Sequence, residues 1–382
     1  MFRCPICGNQ DDKYIGYRKG KPYCRRCISF RGNEPITPIY FSTKADYKLN
    51  YELTKDQLIL SKKLVHNFQS GINSLVNAVC GAGKTEIVLE VIKYAIEKRL
   101  KVGFAVPRVD VVKELYIRFK EIFKKNKLTL VYGGHHESLQ GDLVCLTTHQ
   151  LFRYEKYFDL LILDEIDAFP YQGNEVLKAF FYRAVKGQFI LMSATPSNDT
   201  IHELKAQKVD ILYLNTRFHM QPLPVPKVYS SPGLTQFIVL IRTLKSFIKK
   251  NLPTFVFAPT IPLCEKIYRF VNYVVPGGNY VHSKCLDRSE RIENFRKGKY
   301  SFLVTTAVLE RGVTLKNLQV IIMYANHPFY KSSSLIQVSG RAGRKIDAPT
   351  GEVIFICEEI NDEINRCINT IKAKNKDLQN LF

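Results

Sequence analysis

The chain has 382 residues, of which 46% are hydrophobic and 24% charged, a composition typical of a soluble globular protein with room for two or three domains. Lys and Arg number 56 against 35 Asp and Glu; this net charge of +21 favours a polyanionic partner, either a nucleic acid or an anionic membrane surface, although solubility alone would also explain it. There is no run of 18 or more apolar residues and no apolar stretch near the start, so we expect no transmembrane segment, no secretion signal and a cytoplasmic location.

Four cysteines lie at the front of the chain in two CxxC pairs, Cys4 with Cys7 and Cys24 with Cys27. Two residues between cysteines let one tight turn direct both thiolates at a single ion, and two such turns complete a tetrahedral zinc site. A thioredoxin-like redox pair fits less well, and an iron–sulfur cluster stays an alternative. Cations and tyrosines lie between the pairs and suit a single-stranded nucleic acid, but a purely structural module or a docking site for a partner protein stays open.

A glycine-rich loop follows the predicted buried strand Leu75–Val79 and precedes a helical pattern of apolar residues over Thr85–Lys98. In such a loop the backbone N–H groups face phosphate oxygens, so that Lys84 would reach the β- and γ-phosphates and Thr85 would help to hold Mg²⁺. The predicted nucleotide-binding residues of this loop are Gly81, Ala82, Gly83, Lys84 and Thr85.

An acidic segment, FDLLILDEIDAFP, follows about eighty residues later. The apolar run Leu160–Leu163 is typical of a parallel strand buried on both faces, and open α/β sheets place their chemistry at the carboxyl end of such strands. Asp164 would then coordinate Mg²⁺, and Glu165 would position and deprotonate the attacking water.

These segments resemble the motifs of superfamily-two helicases. AVCGAGKT, which begins at Ala78, resembles their AxxGxGKT loop, DEID resembles their DExD box, and Ser193-Ala194-Thr195 resembles their SAT motif. LVTTAVLERGVT resembles motif five and includes Glu310 and Arg311. QVSGRAGR resembles motif six, and we expect its two arginines to lie on one face of a helix.

The resemblance implies an α/β fold with two tandem RecA-like domains with parallel sheets, preceded by a small zinc-binding domain. We expect a zinc-binding domain and linker over residues 1–50, an ATP-binding helicase domain over 51–214 and a C-terminal helicase domain over 215–382. ATP would bind between the two RecA-like domains, and alternating closure and opening would move a strand.

The resemblance also assigns roles to individual residues. Gln57 would read adenine, and Gly312 would contribute to nucleotide binding. Motif six would grip the γ-phosphate in the transition state through Gln337, Arg341 and Arg344. The residues that would contact the nucleic-acid backbone are Pro107, Arg108, Thr148, Pro259, Thr260 and Thr306.

The details of the motifs separate branches of the superfamily. QVSGRAGR is similar to the motif six of primosomal replication-restart helicases, but these carry a larger cysteine cluster within the helicase core. The early Cys4 cluster, the compact core, PRVDVVKEL and LERGVT together resemble the ComFA family of late competence proteins.

The ComFA resemblance implies an ATP-dependent single-stranded DNA translocase, with ATP, magnesium and zinc as cofactors, that powers uptake of transforming DNA. It would act at the cytoplasmic face of the cell membrane, beside the DNA-uptake channel and other competence proteins. The alternatives are a replication-restart or repair DNA helicase, and a nucleic-acid-binding scaffold with a vestigial ATP site. The intact motif residues count against the scaffold.

Overall fold

The computed structural model describes residues 2–30, 36, 39, 44–45, 47–49, 51–135, 138–309, 315–345 and 347–379, and describes side chains as far as residue 376. The chain divides into two compact units, Met1–Leu214 and Asn215–Phe382. Glu310, Arg311 and Gly312 of the predicted motif five lie outside the described residues, as does most of the predicted linker.

The first unit is built on a parallel sheet. Its described strands are β1 (Ile15–Arg18), β2 (Lys21–Cys24), β3 (Ser74–Ala78), β4 (Val102–Val106), β5 (Leu128–Val131), β6 (Leu143–Thr147), β7 (Phe158–Leu163), β8 (Val185–Ser193) and β9 (Asp210–Leu214). Seven of these described strands form one sheet in the order β5-β6-β4-β7-β8-β3-β9, and β1 and β2 form a separate antiparallel hairpin. Because the seven strands are parallel, the loops after β3, β4, β6, β7 and β8 emerge at one edge of the sheet.

The helices of the first unit connect these strands. Those described are α1 (Lys55–Gln69), α2 (Lys84–Ile87), α3 (Leu89–Glu97), α4 (Val109–Ile122), α5 (Glu175–Ala184) and α6 (Asn198–Ala206), with 3₁₀ turns at Asp12–Tyr14 and Thr148–Arg153. All six residues of β7 are buried, which is why its sequence is one apolar run rather than an alternating pattern. The helix expected over Thr85–Lys98 begins one residue earlier and is interrupted at Val88, whose N–H bonds to the carbonyl of Glu86 and tightens the chain there.

The cysteine-rich front of the chain packs onto the first RecA-like sheet and its helices. Cys4, Cys24 and Cys27 are buried in the same apolar cluster as residues of β7 and α5. Phe30 makes the main aromatic contact, with its ring centroid 4.9 Å from that of Phe180 in an edge-to-face arrangement and 5.7 Å from that of Phe152. The front segment is therefore held by apolar contacts as part of the unit Met1–Leu214.

The second unit carries another parallel sheet. Its described strands are β10 (Lys227–Ser230), β11 (Thr254–Phe257), β12 (Gly278–Val281), β13 (Phe302–Thr305), β14 (Gln319–Met323) and β15 (Val353–Cys357). Among described residues they form one sheet in the order β10-β15-β14-β11-β13-β12, with parallel neighbours throughout. The helices described are α7 (Thr235–Lys249), α8 (Ile261–Val274), α9 (Arg288–Arg296), α10 (Ser332–Ser339) and α11 (Asp362–Gln379), with a 3₁₀ turn at Ala307–Leu309.

The predicted fold class is confirmed, because each unit is a parallel sheet with helical connections and the cysteine cluster precedes them. One expectation about motif six is wrong: α10 ends at Ser339, and Arg341 and Arg344 lie on the turn that follows rather than on a helix. Gly343, with φ of 63°, directs the chain away from the helix path there. In the described part of the chain, no helix combines the length and the apolar character needed to cross a bilayer.

Candidate nucleotide site and zinc centre

The phosphate loop links β3 to α2 at the carboxyl edge of the first sheet. Gly81 and Gly83 both have left-handed backbones, with φ of 82° and 81°, a conformation that side chains disfavour. A Cβ on Gly83 would also collide with the side-chain amide of Gln57. The loop therefore needs glycine at this position, and it leaves backbone N–H groups at the start of α2, where phosphate oxygens bind well.

Gln57 braces the phosphate loop from α1. Its Nε2 donates to the carbonyl of Ala82 at 2.7 Å, and its Oε1 accepts from the backbone N–H of Thr54 at 2.9 Å. The Thr54 side chain in turn accepts from the backbone N–H of Gln57, and the two bonds form a capping box at the start of α1. Gln57 was predicted to read adenine, and an amide has a second N–H and a second lone pair beyond the two bonds described.

The two ends of the predicted catalytic centre lie next to each other. Lys84 Nζ is 3.5 Å from Asp164 Oδ1, which joins the phosphate loop to the acidic segment after β7. Burial opposes the charge on Lys84, but the carboxylates of Asp164 and Asp167 outweigh it and raise the pKa of the ammonium group. Lys84 is therefore a persistent cation beside a carboxylate, as a site for phosphate and Mg²⁺ requires.

Glu165 has an unusual backbone for a residue that is not glycine. Its φ is 62°, a left-handed conformation that costs about 1 to 3 kcal/mol and persists only where the surrounding structure holds it. Its N–H donates to Asp164 Oδ1 at 2.8 Å, so the two acidic residues are fixed relative to each other. The acidic segment is thus held in a specific conformation rather than being a solvated strand end.

The acidic segment is also bonded to the predicted SAT motif. Thr195 Oγ1 donates to Asp167 Oδ2 at 2.5 Å, and the N–H of Thr195 bonds to Ser193 Oγ at 3.1 Å. A charge-assisted hydrogen bond of this kind is stronger than a neutral one. The loops after β7 and β8 are thereby linked within the first unit.

Motif six spans the end of α10, which carries Gln337, and the turn that follows, which carries Arg341 and Arg344. Gln337 and Arg341 are buried and Arg344 is half-buried. Arg344 Nε donates to the carbonyl of Gly340 at 2.9 Å. The same turn is contacted by Arg217 and His219, two residues that the sequence reasoning did not identify.

The residues predicted to contact nucleic acid lie at the carboxyl edges of the two sheets, but they differ in exposure. Arg108 is half-buried at the start of α4. Pro259, Thr260 and Thr306 are half-buried after β11 and β13. Pro107 and Thr148 are buried, so a direct contact by their side chains is not supported. Thr148 is inaccessible because it starts the Thr148–Arg153 turn, which packs against α5.

The four front cysteines form a compact set of ligands. Their sulfur atoms all lie within 4.8 Å of one another, with 3.5 Å between Cys4 and Cys27 and 3.7 Å between Cys7 and Cys24. A tetrahedral zinc ion with Zn–S bonds of about 2.3 Å needs sulfur separations of about 3.8 Å, so the set fits zinc.

The pKa values of the cysteine thiols indicate how a bound metal ion would act on them. Burial raises the pKa of Cys7 to about 11, which disfavours its thiolate. For Cys4 burial acts in the same direction, but N–H groups of Cys7 and Ile6 bonded to its sulfur outweigh burial and lower the pKa. A bound cation stabilises thiolates at such a site.

A second polar cluster was missed by the sequence reasoning. Arg118 on α4 donates to Glu86 of α2, and Tyr51 donates to the same Glu86 oxygen at 3.1 Å. Burial opposes the charge of Arg118, but Glu86 outweighs it and raises the pKa of the guanidinium. Glu86 directly follows GKT, but Arg118 lies 32 residues further on, and only the fold brings the two together.

Comparisons with known proteins agree with this geometry. Residues 59–204 match the DEAD/DEAH box helicase family, and residues 236–345 match the helicase conserved C-terminal domain. The structure of Dbp5 from S. cerevisiae bound to RNA and ADP BeF3 superimposes with a TM-score of 0.63 at 16% identity, over 85% of this chain and 92% of that one. The two parallel sheets and the sequence matches define an ATP-hydrolysing helicase or translocase of superfamily two.

Two relatives identify the branch. Competence protein ComFA of Streptococcus pneumoniae is 34% identical over 94% of this chain and 87% of its own length. Competence protein ComFA of Bacillus subtilis is 31% identical over 93% of this chain and 81% of its own. The chain belongs to the ComFA family.

Proposed function

We propose that this protein is an ATP-driven translocase of single-stranded DNA that powers the uptake of transforming DNA during natural competence. The observation that carries the proposal is the contact between Lys84 and Asp164, at 3.5 Å, in a chain of the ComFA family. The contact supports the proposal, because the phosphate loop and the acidic segment meet there. A scaffold protein with a vestigial site would have no need to keep this partly buried ion pair.

In the proposed hydrolysis the γ-phosphate lies against the phosphate loop and Lys84. Thr85 and Asp164 would hold Mg²⁺, which neutralises the charge that develops on the phosphate oxygens. Glu165 would orient the attacking water and accept its proton. Arg341 and Arg344, with Gln337, would stabilise the transferring phosphoryl group. Gln57 would hold the loop and read adenine with its remaining hydrogen-bonding capacity.

The nucleic-acid surface is proposed from the half-buried residues at the sheet edges: Arg108 in the first unit and Pro259, Thr260 and Thr306 in the second. We add the zinc module, defined as the described residues 2–30. Its Tyr17 ring is 71% exposed, and Lys13 and Arg26 lie over the Tyr14 ring. Aromatic rings and cations on one small module are the groups that unpaired bases and phosphates bind.

The proposed domains are residues 1–50 for zinc binding and linker, 51–214 for ATP binding and 215–382 for the C-terminal helicase domain. The proposed location is the cytoplasmic face of the cell membrane, where the +21 charge would be attracted to anionic lipid. The partners would be the DNA-uptake channel and other competence proteins.

The biochemical test compares stimulation of ATP hydrolysis by single-stranded DNA, duplex DNA and RNA of one length at one salt concentration. The salt must be fixed because phosphate contacts make affinity fall steeply with ionic strength. We expect the largest stimulation with single-stranded DNA. A preference for RNA would contradict the proposal.

The genetic test deletes the gene and restores it with the wild-type chain or with Lys84→Ala. We expect loss of DNA uptake and transformation, rescued only by the wild type, with unchanged resistance to ultraviolet light. Normal uptake together with ultraviolet sensitivity would favour the replication-restart or repair helicase.

A further inference from the structure

The turn that carries motif six is held by an arginine from a distant part of the sequence. Arg217 is only 2% exposed, and its guanidinium donates to three backbone carbonyls of the turn. Nη1 donates to Gly343 at 2.9 Å, while Nη2 donates to Ala342 at 3.0 Å and to Gly340 at 3.2 Å. The planar guanidinium, with several donors in a fixed fork, suits three carbonyls spread along one turn.

His219 adds a further bond to the same turn. Its Nε2 lies 2.9 Å from the carbonyl oxygen of Gly343, which therefore has two partners. The N–H of Gln221 donates to Nδ1 of His219 at 3.2 Å, so Nε2 carries the proton and donates. Burial, together with the charge of Arg217, lowers the pKa of His219, which disfavours the imidazolium form.

These bonds act on the segment that presents the two motif-six arginines. The carbonyl of Gly340 is shared between Arg217 Nη2 and Arg344 Nε, so Arg217 fixes the group against which Arg344 is oriented. Arg341 lies between two of the bound carbonyls, those of Gly340 and Ala342. Gly343 is confined as well, because a Cβ there would collide with the carbonyl of Pro349.

We propose that Arg217, assisted by His219, is a positioning residue for ATP hydrolysis: it holds the Gly340–Gly343 turn so that Arg341 and Arg344 are directed at the transferring phosphoryl group. This inference rests on the proposed function, since it takes the role of the two arginines from there. Arg217 lies three residues after Leu214, the last residue of the first unit. The bonds of Arg217 therefore connect the start of the second unit to the turn that carries the motif-six arginines.

A positioning role and a merely structural role differ in what they affect. If Arg217 only stabilises the second unit, its loss lowers the unfolding temperature and affects all activities together. If it positions the arginines, its loss lowers kcat selectively, because misplacement by about 1 Å costs up to a hundredfold in rate. Binding of ADP, which lacks the γ-phosphate, should then be unaffected.

The test uses Arg217→Met, Arg217→Lys and the matched control Arg291→Met in the full-length chain. Arg291 also donates to a carbonyl within the second unit, that of Tyr280 at 3.0 Å, but it makes no described bond to the motif-six turn. For each variant we would measure the unfolding temperature, kcat and KM for ATP with saturating single-stranded DNA, and the affinities for ADP and for ADP with aluminium fluoride.

For Arg217→Met we expect kcat to fall about tenfold to a hundredfold. The affinity for ADP with aluminium fluoride should fall in parallel, while ADP affinity and the KM for ATP stay within about twofold. Arg217→Lys, which keeps a cation but not the fork, should recover part of kcat. Arg291→Met should leave kcat and transition-state affinity unchanged. A folded Arg217→Met protein with wild-type kcat would overturn the proposal, as would equal losses in both Met variants.

Arg217→Met could fail to fold, because it leaves three buried carbonyls without these donors. In that case His219→Leu tests the inference, since it removes one donor to Gly343 and leaves Arg217 in place. We expect a several-fold loss of kcat. An unchanged kcat would overturn the inference. Arg341→Lys separates the two proposals. If Arg341→Lys keeps full activity, the proposed role of motif six fails; if it is inactive while Arg217→Met is active, only the positioning role fails.

Discussion

The two units arrange their proposed catalytic groups in different ways. In the first unit the groups are bound to each other through side chains, as with Lys84 and Asp164 at 3.5 Å and Thr195 and Asp167 at 2.5 Å. In the second unit the motif-six arginines lie on a turn whose backbone carbonyls are bound by Arg217 and His219. The first arrangement fixes chemistry directly, and the second fixes the backbone that presents it.

The difference shows where each unit is sensitive. A substitution in the first unit removes a group that touches another reacting group, so its effect should be large and local. A substitution at Arg217 acts through geometry and leaves every reacting group present. The predictions below test this contrast from the strongest expected effect to the weakest.

Lys84→Ala is the largest perturbation of the first unit. It removes the ammonium group from the phosphate loop, and we expect hydrolysis to fall about a thousandfold because a charged donor to the reacting phosphates is lost. Steady-state ATP hydrolysis with single-stranded DNA and an unfolding curve measure the effect. Lys93→Ala, which removes a half-buried lysine paired with Glu90 in the same unit, is the control and should be neutral. Unchanged hydrolysis by Lys84→Ala would refute the site.

Cys4→Ser or Cys24→Ser tests whether the zinc module is separate from this chemistry. We expect release of about one zinc ion per chain and about tenfold weaker binding of single-stranded DNA, because a thiolate ligand is lost and the module no longer folds around the ion. ATP hydrolysis at saturating DNA should be largely retained, since the two sheets bury their own apolar residues.

The control for the zinc variants is Cys285→Ser, a half-buried cysteine outside the four-sulfur set, which should keep its zinc. Zinc is measured by a chromogenic chelator and binding by fluorescence anisotropy. Global unfolding of Cys4→Ser would instead show that the packing of Phe30 on Phe180 makes the zinc module essential to the first unit.

Much of the first unit could be predicted from its sequence because its groups follow strands directly. Lys84 comes six residues after β3 ends, and Asp164 directly follows β7, so parallel strands bring both to one edge. The apolar run that predicted a buried strand before the acidic segment is buried along its whole length in β7. Strands β10 and β12 are short and only partly buried, and therefore lack such an apolar run.

The support of motif six could not be predicted in the same way. Arg217 binds carbonyl groups, which every residue has, and its partners lie more than 120 residues away in sequence. The turn itself was predicted as helix because Arg341 and Arg344 are spaced like helical neighbours, but the left-handed Gly343 and the bonds from Arg217 hold another path. The packing of Phe30 against α5 could likewise not be predicted from the sequence, since one aromatic residue in a polar segment gives no periodic pattern.

Thr195→Val tests the second side-chain contact of the first unit. The substitution keeps the shape but removes the donor to Asp167, and we expect kcat to fall about tenfold, because a hydrogen bond to a charged group contributes about 1.5 kcal/mol or more. ADP affinity should be unchanged. Thr200→Val, at a surface-exposed hydroxyl bonded to Ser197, is the matched control. A wild-type kcat for Thr195→Val would mean that this contact supports the loop without affecting hydrolysis.

Gln57→Ala is the change with the smallest expected effect. It sharpens the comparison of the two units, because Gln57 bonds to the backbone of the phosphate loop as Arg217 bonds to the backbone of the motif-six turn. Loss of its bond to Ala82 should raise the KM for ATP about fivefold, since one hydrogen bond contributes about 1 kcal/mol, while kcat changes less than twofold. Gln69→Ala, at the exposed end of the same helix, should be neutral. If Gln57 also reads adenine, the preference for ATP over GTP in kcat/KM falls in the variant. An equal rise in KM for both nucleotides would refute the adenine contact and leave Gln57 as a brace of the loop alone.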